Sequence, residues 1–183
     1  MVTSVDGRVI AQRAMLRATV SIDLRAATAS DEPFLFVLYA STREAELAAW
    51  GWAPAQRDAF LRMQWMAQSH DWAARHPRAD HQMVCLQGQP VGRLLVAKDA
   101  AEWRLVDIAL LPAHQGGGVG TRLLTQVRDE AGAAGVPLRL SVLRTNPARR
   151  LYERLGFEVD AAPPEEAAAP YVSLSWTPAP RQG

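Results

Sequence analysis

The sequence predicts one mixed α/β domain, of the α+β kind, over residues 21–177. Apolar residues at helical spacing come first, and two short apolar runs joined by a turn follow them. A further apolar run then leads through three consecutive glycines into another helical stretch. Such periodicities indicate helices and strands mixed along one chain. With 183 residues and 49% hydrophobic content, the chain can form a single core. We expect poorly ordered tails at residues 1–20 and 178–183.

The N-terminal half should contain one strand and two helices. After a tail with no clean period, residues 21–25 alternate as a strand does. Ser30 is followed by two acids and a proline, which is a typical start of a helix. A second helix should begin at Pro54 and end at Arg75, because the residue after Arg75 precedes another proline.

The C-terminal half should supply six further strands and two further helices. Each strand is an apolar segment bounded by turn residues, and the segments are 82–86, 91–97, 101–111, 138–143, 157–159 and 171–176. A helix should run from Val119 to Ala134, where apolar residues recur at helical spacing and Gly135 follows. A short helix should follow Asn146, a capping residue with Pro147 after it.

Composition narrows the range of partners. The formal net charge is +1, so nothing indicates a dedicated nucleic-acid or membrane binder. Cys85 is the only cysteine, which excludes an intramolecular disulfide and favours a reducing compartment. We find no apolar run of the roughly 18 residues that span a membrane, no signal peptide and no zinc-site spacing of histidines. We therefore expect a cytoplasmic, metal-free monomer or homodimer, and the Arg- and Ala-rich composition suggests a bacterial source.

Residues Gln115 to Thr121 form a glycine-rich turn between a predicted strand and a predicted helix. A helix start of this kind directs several unpaired backbone N–H groups to one position, which suits a phosphate group. A P-loop needs a lysine after its second glycine, and Lys98 is the only lysine of the chain. A dinucleotide-binding turn needs an acid about 20 residues further on, and none lies there. A flexible linker is the alternative, and the apolar flanks disfavour it.

A second segment reads Asn-Pro-Ala-Arg-Arg-Leu-Tyr-Glu-Arg-Leu-Gly-Phe over residues 146–157. The glycine-rich turn fits the pattern Gln-x-x-Gly-x-Gly through Gln115, Gly118 and Gly120. In this order, the two segments resemble the acyl-CoA-binding core of the GNAT superfamily of N-acyltransferases. The element order over residues 21–176 is also similar to that of the family, while the specific motifs lie within residues 108–157.

The resemblance implies a GNAT fold: a central mixed, mostly antiparallel sheet of about seven strands with splayed middle strands, flanked by about four helices. Acetyl-CoA would be the co-substrate. Its pantetheine arm would enter between the strands at 101–111 and 138–143, and its pyrophosphate would meet the glycine-rich turn. The implied acetyl-CoA contacts are Ile108, Ala109, Leu110, Gln115, Gly116, Gly117, Gly118, Val119, Gly120, Thr121, Asn146 and Arg149.

The resemblance also implies catalytic roles. Tyr152 matches the family tyrosine that donates a proton to the leaving CoA sulfur, although a tyrosine on an apolar helix face is by itself typical of a core. Where many family members have a glutamate as general base, this chain has Arg104. Asp107 is the only acid within the central strand apart from Glu102 at its start, and it is our candidate base, directly or through water. Because a carboxylate in an apolar strand needs a partner, a structural hydrogen bond is its alternative role.

The acceptor site is expected between the first two helices, their connection and the last hairpin. Trp50 and Trp52 flank a glycine in that connection and are candidate substrate-binding residues, and the loop at 160–170 adds Glu165 and Glu166. Aromatic groups beside acids suit an amine with an apolar body. We expect an N-acetyltransferase that transfers acetyl to a primary amine of a small molecule by direct attack in a ternary complex. A protein or peptide N-acetyltransferase and a non-catalytic acyl-CoA sensor are the alternatives.

Overall fold

The computed structural model describes residues 21–161 and 169–179. The predicted tail at residues 1–20, most of the predicted C-terminal tail, and Glu165 and Glu166 lie outside the described residues. The described chain folds into seven strands and four α-helices in the predicted order: β1 Ile22–Ala26, α1 Glu32–Ala48, α2 Pro54–Arg75, β2 Asp80–Leu86, β3 Gln89–Lys98, β4 Trp103–Leu110, α3 Val119–Ala134, β5 Leu138–Leu143, α4 Arg149–Arg154, β6 Glu158–Val159 and β7 Tyr171–Trp176. Short 3₁₀ turns at Ala29–Asp31 and Pro112–His114 precede α1 and follow β4.

One sheet contains all seven strands of the described chain, in the order β1-β2-β3-β4-β5-β7-β6. Every neighbouring pair is antiparallel except β4 and β5, which are parallel. The prediction of a mixed, mostly antiparallel sheet flanked by four helices is therefore confirmed.

The parallel pair separates part-way along its length. β4 pairs with β5 at three positions only, and the last of them joins Leu105 to Leu140. β4 nevertheless continues to Leu110, and β5 continues to Leu143. Over this stretch β4 stays paired with β3, and β5 stays paired with β7. The sheet is therefore open between its two middle strands, in agreement with the prediction that these strands splay apart.

Two hydrophobic clusters cover the two faces of the sheet. Side chains alternate between faces along a strand, and β2 shows this directly. Val84 belongs to the cluster that contains the buried side of α3, whereas Met83 and Cys85 belong to the cluster beneath α1 and α2. Cys85 is a free thiol, and it is buried.

An ion pair fixes the start of α1. Asp31 is buried, and its carboxylate accepts hydrogen bonds from the Arg25 guanidinium of β1 at 2.6 and 2.8 Å. The same carboxylate accepts the backbone N–H of Thr28 at 2.8 Å, and Thr28 caps the 3₁₀ turn. The residue before the first turn of α1 is Asp31, one position after the predicted Ser30. The first helix is thereby anchored to the edge strand of the sheet.

Candidate active site

The opening between β4 and β5 is the centre of the candidate site. Three residues predicted to contact acetyl-CoA, namely Ile108, Ala109 and Leu110, lie in the part of β4 that has separated from β5. These residues remain in register with β3 on their other side. Backbone N–H and C=O groups of β4 that point towards β5 therefore have no strand partner there within the described chain, and they can pair with an extended ligand.

Gly92 of β3 lets the end of β4 lie close to β3. A Cβ atom at this position would lie 2.6 Å from Cδ2 of Leu110 and closer still to the carbonyl oxygen of Ala109. Only glycine avoids that overlap. Ala109 and Leu110 also form the edge of the opening. The close packing of β3 on these two residues therefore helps to set the position of that edge.

The glycine-rich turn lies at the end of β4. Gly118 has φ +87° and immediately precedes α3, and Gly116 has φ +70°, so both occupy the left-handed region that favours glycine. The Gln115 side chain donates a hydrogen bond to the Leu110 carbonyl at 2.8 Å, and its backbone N–H donates to Pro112. The N–H groups of residues 116–121 have no backbone carbonyl partner in the described chain. They form an exposed cradle that suits an anion at the start of a helix.

Asn146 and Arg149 are both held by local contacts. The Asn146 Oδ1 accepts the backbone N–H of Ala148 at 2.9 Å, so Asn146 closes a turn and α4 starts at Arg149, slightly later than predicted. The Arg149 guanidinium donates to Glu153 at 3.0 Å, one helical turn further on. Their predicted contacts with acetyl-CoA stay predictions.

Tyr152 is a buried side chain of α4. Its side chain is 6% exposed, and its ring meets Phe157 edge-on at a centroid distance of 5.9 Å. Burial, with the negative charge of Asp107 in addition, raises the pKa of Tyr152 to about 12. The phenol therefore keeps its proton at neutral pH, and the two predicted catalytic groups act on each other electrostatically.

Asp107 forms an ion pair with Arg93 of β3. The Nε and Nη2 atoms of Arg93 both lie 2.8 Å from Oδ2 of Asp107. A bulge in the β3–β4 register places Asp107 opposite Leu95 and on the same face of the sheet as Arg93. Burial raises the pKa of Asp107 above its ordinary value, and the charge of Arg93 opposes that rise.

Arg93 is a residue of the site that the sequence interpretation missed. It is 3% exposed, and its guanidinium lies 4.6 Å from the ring centroid of Trp72 and 5.5 Å from that of Trp65. A buried cation of this kind needs both a counter-charge and close packing. An arginine inside the apolar run of residues 91–97 was the available signal, since a charge among buried residues implies a partner.

Trp50 and Trp52 lie in the connection between α1 and α2, as predicted. They are 44% and 37% exposed. Their rings contact each other at 4.9 Å, and both contact Phe60 of α2, at 5.8 and 5.1 Å. Phe60 packs against the cluster beneath α1 and α2, which is the face of the sheet that carries Arg93 and Asp107. Their role in acceptor binding stays a prediction.

The titratable groups of the candidate site are therefore Asp107 and Tyr152, with Arg93 as the counter-charge of Asp107. Among the residues that the structure describes, no three His, Cys, Asp or Glu side chains are grouped so that they could hold a metal ion. None of the helices in the described ranges has the length and apolar character that crossing a membrane requires.

Residues 78–159, which span β2 to β6, match the family model of the acetyltransferase (GNAT) domain. The protein has a GNAT acetyltransferase domain. The matched segment contains the opening between β4 and β5, the glycine-rich turn and Tyr152. The residues that match the family model therefore include the central features of the candidate site. No curated protein matched the sequence.

Solved structures share the GNAT fold with this chain. PaiA N-acetyltransferase from Thermoplasma acidophilum, solved in complex with coenzyme A, matches with a TM-score of 0.63 and 15% identity, covering 86% of this chain and 99% of that one. The ribosomal-protein-S18-alanine N-acetyltransferase of Escherichia coli matches with a TM-score of 0.60 and 20% identity, covering 88% and 97%. A histone acetyltransferase HPA2 and related acetyltransferase from Corynebacterium glutamicum matches with a TM-score of 0.61 and 24% identity, covering 89% and 99%.

Replacing Arg93 with methionine should destabilise the protein more as the pH rises. Without Arg93, burial alone acts on Asp107, so its folded-state pKa rises further above the unfolded value of about 3.9. The deficit against wild type should be small below about pH 4, where Asp107 is protonated in both states, and should grow as pH rises through the folded pKa. We expect a loss of about 3 kcal/mol at pH 7, measured by denaturant unfolding across pH.

Two further variants serve as controls for Arg93→Met. Combining it with Asp107→Asn should remove most of the pH dependence of the deficit, because the carboxylate that Arg93 neutralises is then absent. Arg75→Met breaks an exposed pair with Asp71, whose side chains are 72% and 50% exposed, and should cost less than about 1 kcal/mol. A deficit in Arg93→Met that does not change between pH 4 and pH 7 would contradict the ion-pair interpretation.

Proposed function

We propose that the protein transfers an acetyl group from acetyl-CoA to a primary amine of a small-molecule acceptor, by direct attack in a ternary complex. The observation that carries this proposal is the opening between β4 and β5, which has an anion cradle at its end, together with a Tyr152 phenol close enough to Asp107 of β4 for their charges to interact. A thioester held there would have its acyl carbon near both titratable groups.

The backbone supports the binding of acetyl-CoA. The N–H groups of residues 116–121 are available for the pyrophosphate, and the dipole of α3 favours an anion at that end. The edge of β4 at Ile108, Ala109 and Leu110 has no strand partner on the β5 side and can pair with the amides of the pantetheine arm, apart from the Leu110 carbonyl, which accepts the Gln115 side chain. The structural relative from Thermoplasma acidophilum was solved with coenzyme A, which agrees with this assignment.

The proposed chemistry needs four proton or charge movements. The acceptor ammonium gives a proton to Asp107, and the free amine then attacks the thioester carbonyl, forming the new C–N bond. A backbone N–H near Leu110 stabilises the resulting oxyanion. The C–S bond breaks, and Tyr152 donates its proton to the departing thiolate, which leaves as free CoA. The nitrogen of the new amide loses its second proton, which returns to Tyr152 through solvent and restores the phenol.

Burial supports the role of Asp107 as the base, and it keeps the Tyr152 phenol protonated at neutral pH. A carboxylate whose pKa is raised is a stronger base, so burial makes Asp107 better able to accept a proton near neutral pH. Arg93 limits that effect and fixes the direction of the carboxylate through Oδ2. Aspartate is shorter than glutamate, so the proton of the amine passes to Asp107 through one water molecule wherever the carboxylate does not reach the amine directly.

The aromatic pair in the α1–α2 connection supports an acceptor with an apolar body. Trp50 and Trp52 together expose ring surface on the side of the sheet that carries Asp107. An assay of free thiol release from acetyl-CoA, with a panel of small amines and of peptides, tests the acceptor class. Turnover with peptides alone would favour the protein acetyltransferase alternative, and binding without turnover would favour the sensor.

Replacing Gly118 with valine should abolish CoA binding. The position has φ +87°, which a β-branched residue cannot adopt without strain, and the change should distort the cradle at the start of α3. Gly88→Val is the matched control: its φ of +78° imposes similar strain in the β2–β3 turn, away from the cradle. Calorimetric titration with CoA should show binding in the control and none in Gly118→Val. Equal affinities in two folded variants would refute the CoA assignment.

Replacing Tyr152 with phenylalanine should lower kcat by about 10² to 10⁴-fold, because the packing with Phe157 remains while the proton donor is lost. Affinity for CoA should change little. Tyr171→Phe, at a tyrosine of β7 that is 55% exposed, should leave kcat unchanged. Steady-state kinetics with a good amine substrate measures both variants. Wild-type turnover in Tyr152→Phe would mean that the thiolate leaves without this acid.

Replacing Asp107 with asparagine should lower kcat/KM most at low pH, where the acceptor amine is largely protonated and needs a base. At high pH, where free amine is abundant, the variant should regain much of the difference. Asp160→Asn is a matched control, because Asp160 is exposed to a similar degree, 25% against 24%, and is also paired with an arginine. The pH profile of kcat/KM and the melting temperature should be measured for each. A lowered melting temperature with a profile parallel to wild type would assign Asp107 a structural role only.

A further inference from the structure

A second cavity lies beneath α2, outside the opening between β4 and β5. Its volume is about 520 Å³, which is within the range of small-molecule sites. Its walls come from α1, from the second half of α2 and from β2 and β3, and they include Trp72, His81 and Arg93. None of Ile108, Ala109 and Leu110 lines it. The cavity is therefore separate from the proposed path of acetyl-CoA.

The walls of this cavity suit a flat apolar group. Trp65 and Trp72 supply two indole rings, and two leucines and one methionine add aliphatic surface to the lining. Trp72 stacks on the guanidinium of Arg93 at 4.6 Å, which holds the indole at one side of the cavity. Rigid aromatic walls of this kind favour planar ligands that stack or meet the rings edge-on.

The charges around the cavity disfavour an anion. Arg93 is already neutralised by Asp107 at 2.8 Å. Burial lowers the pKa of both His76 and His81, so neither adds a positive charge at neutral pH. The remaining charged group of the lining is the carboxylate of Glu32, which is exposed. An uncharged ligand meets no electrostatic penalty there.

The lining also includes the partly buried imidazole of His81. Its Nε2 atom makes no hydrogen bond within the described residues, but it is shielded from water-sized groups, so a ligand in the cavity does not reach it. The lining therefore favours an uncharged aromatic ligand without specifying its polar group.

We propose that the cavity beneath α2 is a second binding site, for an uncharged aromatic molecule, and that its occupancy is coupled to Asp107 through Arg93. The coupling follows from geometry, because Arg93 is at once a wall of the cavity and the ion-pair partner of Asp107. The affinity of a ligand that contacts Trp72 and Arg93 therefore depends on whether the Arg93 guanidinium is neutralised by Asp107.

Calorimetric titration with 2-naphthol, which is uncharged at pH 7, tests the site on the full chain saturated with CoA. We expect one saturable site, and at least about tenfold weaker binding of 2-naphthoate, which has the same rings but a negative charge. Ala73→Phe fills the cavity, since Ala73 lines it, and should abolish binding. Ala74→Phe changes the neighbouring exposed alanine, which does not line the cavity, and should bind as wild type does.

The coupling is tested by binding alone, so its outcome does not depend on the proposed acetyl transfer. Asp107→Asn leaves Arg93 without its counter-charge, and the preference for 2-naphthol over 2-naphthoate should shrink by about tenfold or reverse. By linkage, an effect of Asp107 on the ligand equals the effect of the ligand on Asp107. Asp160→Asn should leave the preference unchanged. An unaltered preference in folded Asp107→Asn would overturn the coupling.

Three results would overturn the site itself. They are no saturable binding of 2-naphthol, equal binding by Ala73→Phe and Ala74→Phe, or binding to the CoA-free chain that is lost when CoA is added. The last would place the probe in the opening between β4 and β5. Melting temperatures of both alanine variants establish that each is folded, so a loss of binding in Ala73→Phe alone can be read as occlusion.

Discussion

The early end of pairing between β4 and β5 is the constraint on which the rest of the candidate site depends. After Leu105 and Leu140 the two strands continue without each other, which leaves backbone hydrogen-bonding groups free along β4. Such groups are costly to bury without partners. The gap therefore requires an extended ligand or solvent along its edge. The glycine-rich turn follows directly from that edge, so an anion cradle and a strand-like channel are continuous.

The opening persists because each strand keeps its other neighbour. β5 pairs with β7 along its whole length, and β4 is held on β3 to its end. Two features strengthen the β3 side: Gly92 permits close backbone contact with Ala109, and Arg93 pairs with Asp107. The ion pair thus has a structural role whatever its role in catalysis. Closing the gap would require β4 to give up these contacts.

The sequence was a good guide to elements whose signals are local. The apolar run and positive-φ glycines around α3 specify a strand, a turn and a helix with little help from the rest of the chain, and Gly135 ends that helix as predicted. Arg93 was missed because its partner lies on another strand. Asp107 was recognised as an acid that needs a partner, but the bulge that aligns it with β3 has no local signature. The cap of α1 was placed one residue too early, at Ser30 instead of Asp31, and the Arg25 side chain that holds Asp31 lies on a different element.

The proton affinities of Tyr152 and Asp107 depend on each other, and this dependence bears on the order of the proton transfers. The negative charge of Asp107 is one cause of the raised pKa of Tyr152. In the proposed reaction Asp107 becomes neutral when it accepts the proton of the amine, and that contribution then disappears. The pKa of Tyr152 must fall at that moment, so the phenol becomes a stronger acid as the thiolate is about to leave. Proton uptake at one side of the thioester thereby favours proton donation at the other, through charge alone and without a change in backbone conformation.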